Sequence, residues 1–416
     1  MKGFTLLSAV ALATMALTGV AFAQKAVSAP TLTEEGVRTV TFTGRPPIHR
    51  IDLRGDFQPA GSTPDPYVYL QTMYTRWNDA GGGALGFFSF AGGRTIGDDV
   101  VLLGGAPDPG QTGYDTTTPV ACISEITLIL LSADPVGGTL ELNLSIHPWN
   151  GLGGTAAGAS IASGTISLNI PAAPANPGFI LIPVVVSIDP KLPVPKAFWV
   201  AATPTLNSTI NLNNIGPLVA NSTPGNVSML PGRGFFRAGA PPFQNLGANN
   251  TFIFPTVPQG SFYLAIRGTH NFAGTVDMGA LSGRAKPSDP LAFEFDDDPQ
   301  GDPDEGIEEA LRRNIVDVEV VNDSDPQNPF TSRFTTYLDE NGRFTLPVTN
   351  AIASITVRRW DNGLKVTFNR PDSGWSTDPC SPTVDTQQMT FGDVNGDGII
   401  DDADLLTVLF GFGSSE

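Results

Sequence analysis

Leu140-Glu-Leu-Asn-Leu-Ser-Ile146 is the stretch on which the fold class turns. Leu140, Leu142, Leu144 and Ile146 fall on one side, while Glu141, Asn143, Ser145 and His147 fall on the other. A period of two with one polar face marks a half-buried antiparallel strand. The flanking sequence has the same texture. Short apolar runs at 99–103, 123–131, 165–170, 179–188, 198–201, 251–254 and 261–267 read as further strands, and 37–42 as a first one. Gly/Pro/Asn clusters such as 150–154 and 171–178 separate them, and no helical periodicity intervenes. Many short strands between turn signals predict an all-β jelly-roll or sandwich domain over residues 24–285. Within it, the stretches 207–226 and 231–250 read as long surface loops, where binding residues tend to lie.

An acidic stretch at 295–305 breaks the pattern and reads as a solvated linker, followed by a short helix over 306–314. Strands at 315–321, 332–338, 343–347, 354–360 and 364–369 then predict a smaller immunoglobulin- or prealbumin-like sandwich within 286–388. Asp339-Glu-Asn-Gly342 is expected to make a hairpin turn between two of them, and 371–388 to be a linker.

The chain begins with Lys2, an apolar run and an Ala21-Phe22-Ala23 box, which predicts a secretory signal peptide over 1–23. No later stretch approaches the roughly 20 apolar residues that a membrane span needs. The expected mature protein is secreted or held at the cell surface. Its formal net charge of -18, with 46 Gly, 36 Pro and only 15% charged residues, disfavours nucleic acid and anionic membranes as partners and suits divalent cations. The two cysteines, Cys122 and Cys380, allow either one disulfide or two buried thiols.

The most specific chemistry lies near the C-terminus, in Asp393-Val-Asn-Gly-Asp-Gly-Ile-Ile-Asp-Asp-Ala-Asp404. Oxygen ligands recur at loop positions 1, 3, 5, 9 and 12: Asp393, Asn395, Asp397, Asp401 and Asp404. Gly398 stands at position 6, where a calcium loop turns sharply, and Ile399 at position 7 would offer a backbone carbonyl. Calcium takes oxygen donors in flexible geometry, so carboxylates on alternate residues of a tight loop suit it. Position 12 carries Asp404 where the general pattern has a bidentate Glu. The apolar run Leu405, Leu406, Val408, Leu409, Phe410 follows at helical spacing.

This segment, 389–416, resembles the repeat of bacterial dockerin modules, which carry the same Asp-Val-Asn-Gly-Asp-Gly loop, an Asp at position 12 and a Leu-rich helix. In that family two such repeats pair, bind calcium and dock onto a cohesin partner, usually to assemble extracellular polysaccharide-degrading complexes. One repeat is present here, and the positions that read the partner in the family correspond to Asp402 and Ala403. The resemblance implies calcium as cofactor and a cohesin-like or cell-envelope protein as partner.

No catalytic constellation stands out. His49, His147 and His270 lie in unrelated contexts, no Gly-x-Ser-x-Gly occurs, and Asp98 and Asp99 read as the start of a strand. For sugar binding, aromatics beside polar groups are sought: Trp149 with His147 after the best strand, and Trp77 before a Gly-rich loop. Packing inside the fold is the commoner fate of such rings. The expected function is that of a non-catalytic β-sandwich protein with a calcium-binding tail for docking or stabilisation. A carbohydrate-binding accessory protein and a polysaccharide-degrading enzyme are the alternatives.

Overall fold

The computed structural model describes residues 37–43, 48–53, 64–70, 82–102, 118–150, 156–221, 235–253, 260–277, 315–324, 329–339, 341–358, 365–388, 402–403 and 405–406. Twenty-two strands run through them. The first group is β1 (Val37–Thr43), β2 (Ile51–Leu53), β3 (Tyr67–Leu70), β4 (Gly82–Phe88), β5 (Thr95–Val101), β6 (Pro119–Ser132), β7 (Gly138–Pro148) and β8 (Ala162–Ile170). Then come β9 (Ile180–Pro195), β10 (Ala197–Pro204), β11 (Ile215–Asn221), β12 (Phe235–Gly239), β13 (Thr251–Ile253), β14 (Gly260–Phe262), β15 (Leu264–Thr269) and β16 (Phe272–Asp277). The last are β17 (Ile315–Asn322), β18 (Phe330–Tyr337), β19 (Arg343–Leu346), β20 (Ile352–Arg358), β21 (Lys365–Asn369) and β22 (Thr383–Gln388).

The protein is all-β, as the alternating pattern predicts. A nine-stranded sheet is ordered β1-β4-β11-β6-β15-β3, with β14 beside β11, β9 beside β6 and β2 beside β9. It packs on a six-stranded sheet ordered β13-β12-β5-β10-β7-β8. The shared core takes Leu140, Leu142, Leu144 and Ile146 from β7 and Phe198 and Val200 from β10. Facing them are Ile126, Leu128 and Leu130 from β6 and Ile182 and Val184 from β9. The alternation of β7 is thus the inner face of a sandwich. On β6, Ile129 and Leu131 are also buried, in a second apolar cluster on the outer face of the larger sheet. That two-sided burial explains why its sequence reads as an unbroken apolar run.

The smaller sandwich has a three-stranded sheet, β19-β16-β22, and a four-stranded sheet, β18-β17-β20-β21. Phe272, Phe344, Phe368 and Trp375 meet edge-to-face at its centre. Three expectations are corrected here. The division between the sandwiches falls at 270–271, not near 285, because β16 pairs with β19 and β22. The stretch 371–388 is not wholly a linker, since β22 lies within it. Finally, the Asp339–Gly342 turn passes between the two small sheets and so does not close a hairpin.

The two sandwiches meet where β15 runs out into β16. Arg267, buried, stacks on Tyr67 with its guanidinium 3.9 Å from the ring centroid. Its Nη2 donates to the Tyr67 hydroxyl at 2.7 Å, and its Nη1 lies 3.6 Å from the wholly buried carboxylate of Asp339 in the small sandwich. Thr269 Oγ1 donates to the Pro379 carbonyl at 2.6 Å. Asn271 Nδ2 donates to the carbonyls of Val348 and Ser376, both at 2.7 Å, and its Oδ1 accepts from the Val348 amide at 2.8 Å. Cys122, paired in register with Thr269, forms a disulfide with Cys380. His270 is fully buried beside this bridge, its Nδ1–H donating to the Val120 carbonyl at 2.9 Å.

Two outcomes follow. Replacing both cysteines by serine is expected to cost about 2–5 kcal/mol of stability, because the bridge closes a loop across 258 positions; urea denaturation measures it. Burial pushes His270 down to about 4, against an ordinary value near 6.5 in the unfolded chain. The folded state therefore binds fewer protons between those values. The stabilisation is complete above about pH 6.5 and is lost as pH falls towards 4, about 3 kcal/mol in all. Denaturation of wild type and His270→Gln across that range should show the variant with the flatter slope.

Candidate functional site

The outer face of the six-stranded sheet carries the residues singled out for sugar binding. On β7, β10 and β5 the residues that alternate away from the core are Ser145 and His147, Trp199 and Ala201, and Gly97, Asp99 and Val101. Register sets Trp199 between His147 on one side and Asp99 on the other. The segment 240–250 then folds over them. Ala157 donates its amide to the Leu246 carbonyl and Gly158 to that of Gln244, each at 3.1 Å, so the 156–158 segment straps the cover down. Phe243 drops onto the sheet at Gly97, where any β-carbon would overlap its ring.

The result is a buried aromatic cluster. Trp149 stacks on Trp199 with centroids 5.0 Å apart and planes inclined by 29°. Phe243 meets Trp199 at 5.9 Å and His147 at 5.0 Å. Arg237, on β12, holds its guanidinium 4.6 Å from the Trp199 ring. The Arg237 Nε donates to Thr251 Oγ1 at 3.1 Å, and Nη1 to the Leu246 carbonyl at 3.0 Å. Burial lowers Arg237 to about 10 against the pull of the Asp99 carboxylate, which leaves it charged at neutral pH. His147 is also lowered by burial, opposed by its hydrogen bond to Gly158. Since a carbonyl only accepts, Nδ1 carries the proton towards Gly158 O, and Nε2 accepts from Ser145 Oγ, both at 2.9 Å.

This geometry locks side chains and opens no face to a ligand. Trp149 is 4% exposed and His147 3% exposed. A ring that binds a sugar has to present a face, and those of this pair are turned inward. Trp77 lies outside the described residues. Asp98 and Asp99 sit in mid-strand, not at its start. Asp98 points into the sandwich core, where burial and then the neighbouring Asp99 hold its carboxyl well above the usual range. Among the described residues, no group of three or more His, Cys, Asp and Glu is gathered as metal ligands.

The calcium-loop residues Asp393, Asn395, Asp397, Ile399, Asp401 and Asp404 also lie outside the described residues. Just beyond and between them, Asp402, Ala403, Leu405 and Leu406 are helical and exposed, with Leu405 at 57% and Leu406 at 47%. No protein-family model, curated protein or solved structure matches this chain. Trp199, Arg237 and Asp99 escape a reading by local motif, because strand register brings them together from positions far apart in sequence.

Trp149→Ala is expected to lower stability by about 3–5 kcal/mol, the cost of emptying a large buried aromatic site. Chemical denaturation checks it. A variant of unchanged stability would show that the ring is not a packing element.

Proposed function

We propose that this is an exported, non-catalytic protein in which a two-sandwich body carries a C-terminal calcium loop and helix for attachment to a partner at the cell surface. The observation that carries this reading is the ligand spacing of Asp393, Asn395, Asp397, Asp401 and Asp404 around Gly398. Oxygen donors at these intervals converge on a hard cation only if the chain turns at the glycine. Support comes also from the helical residues that follow, with the paired leucines Leu405 and Leu406 turned outward. Two adjacent exposed leucines on a tail are what a docking helix offers to an apolar groove.

Export is supported by the leader at 1–23 and by the Cys122–Cys380 disulfide, a bond that persists in oxidising compartments. The acidic balance of the chain favours a divalent cation over anionic ligands. His147 and His270 are tied to backbone or side-chain partners in the fold. In this reading calcium orders the loop, the ordered loop fixes the helix, and the helix meets the partner. Metal binding and local folding are then one equilibrium.

Isothermal titration of the full-length protein with calcium should give one site per chain. Asp397→Ala, which removes the central ligand, should weaken binding at least tenfold while leaving the thermal stability of the metal-free protein unchanged. Retention on cell-envelope fractions should require calcium and fail for the same variant. Equal calcium binding by both proteins would remove this reading.

A further inference from the structure

We propose that β8 is a pairing edge at which two copies of this chain join antiparallel, extending the six-stranded sheet across a two-fold axis. β8 is the terminal strand of that sheet, and its partner on the inner side is β7. The β7–β8 register runs without a bulge from Gly138↔Ile170 to Ile146↔Ala162. In an antiparallel ladder every second residue aims its N–H and C=O away from the partner strand. No backbone hydrogen bond from a described residue reaches the outer edge of β8. Ser163, Gly164, Thr165, Ser167 and Asn169 are exposed, and a β-carbon built on Gly164 meets nothing within 4 Å.

Sheet proteins usually protect such edges by shortness, cover, bulges or charge. The other terminal strands of this protein follow that rule. β2, β13 and β14 have three residues each, and β3 has four, all buried. β1 carries Arg38, β18 Arg333, β19 Arg343, β21 Lys365 and β22 Asp385. β8 has nine residues, Ala-Ser-Gly-Thr-Ile-Ser-Leu-Asn-Ile, with no charge and no proline. Glu141, the charge opposite β8 in register on β7, is held by Thr205 Oγ1 at 2.6 Å and Asn207 Nδ2 at 2.9 Å.

The occupant follows from that neutrality. A chain of net charge -18 repels its copies over most of its surface, and like charges directly opposite across a ladder are destabilising. At β8 two copies meet without one. A two-fold axis at Ile166 sets Ala162 against Ile170 and Gly164 against Leu168 on the core side, and Ser163 against Asn169 and Thr165 against Ser167 on the outer side. The hydroxyls can hydrogen-bond across, and the apolar side stays continuous with the core. Such a pairing closes about eight to ten backbone hydrogen bonds.

The test is sedimentation equilibrium of the full-length protein from micromolar to several hundred micromolar. Wild type should dimerise reversibly, and more strongly at high salt, which screens the repulsion. Thr165→Lys with Ser167→Lys puts like charges opposite each other in the dimer and should weaken association at least tenfold. Thr165→Lys with Ser167→Glu puts opposite charges there and should restore it. Both pairs of substitutions lie on exposed positions, so thermal stability reports whether each variant is folded. A wild type that stays monomeric throughout, a dimer indifferent to both variants, or one abolished by chelator would overturn the proposal, the last by assigning association to the tail.

Discussion

The passage of one strand into the next at Thr269-His-Asn271 governs the rest of the molecule. β15 belongs to the large sandwich and β16 to the small one, with His270 and Asn271 between them. A two-residue connection would ordinarily be a hinge. Here Asn271 spends both amide hydrogens and its oxygen on the small sandwich, and Thr269 reaches Pro379. Arg267 faces Asp339 across the junction, and the Cys122–Cys380 bond closes it covalently. Buried charges such as these cost desolvation and are weak evidence for stability, but removing one partner strands the other. The junction is therefore specific in geometry, and the two sandwiches form a single body.

That closure decides what the tail can do. β22 lies parallel to β16 and begins three residues after Cys380, so the last described strand before the calcium segment is bonded into the body. Under the proposed function, load on the tail reaches the body at β22, close to the disulfide. The disulfide and the acidic composition, each with a separate physical cause, both suit the extracellular setting of the proposed function.

Alternation was the legible part of the fold. β8, most of β7 and the strands β17, β18, β20 and β21 announce themselves because one face is more buried than the other, whereas β10 is apolar and buried on both faces. β11 and β12 do not announce themselves. Their sequences, Ile-Gly-Pro-Leu-Val-Ala-Asn and Phe-Phe-Arg-Ala-Gly, carry turn residues inside strands and read as loop. Gly216 stands in β11 because the Phe88 carbonyl crosses where a β-carbon would be, a constraint that exists only once the strands are paired. The extent of the large domain is not legible for the same reason: β16 finds its partners more than sixty residues further on. In the aromatic cluster, His147 and Trp149 are members that local sequence singles out, but the arginine and the buried carboxylate beside them are brought there by strand register and not by spacing. A calcium loop differs, because all its ligands sit on one short stretch.

The account rests on the claim that calcium acts at the tail of an otherwise settled body. Hydrogen–deuterium exchange of the full-length protein, with calcium and with chelator, tests it most directly. Protection gained in peptides covering 389–416, with exchange across 118–388 unchanged, is the predicted result. Protection gained within the sandwiches, or none anywhere, would contradict it.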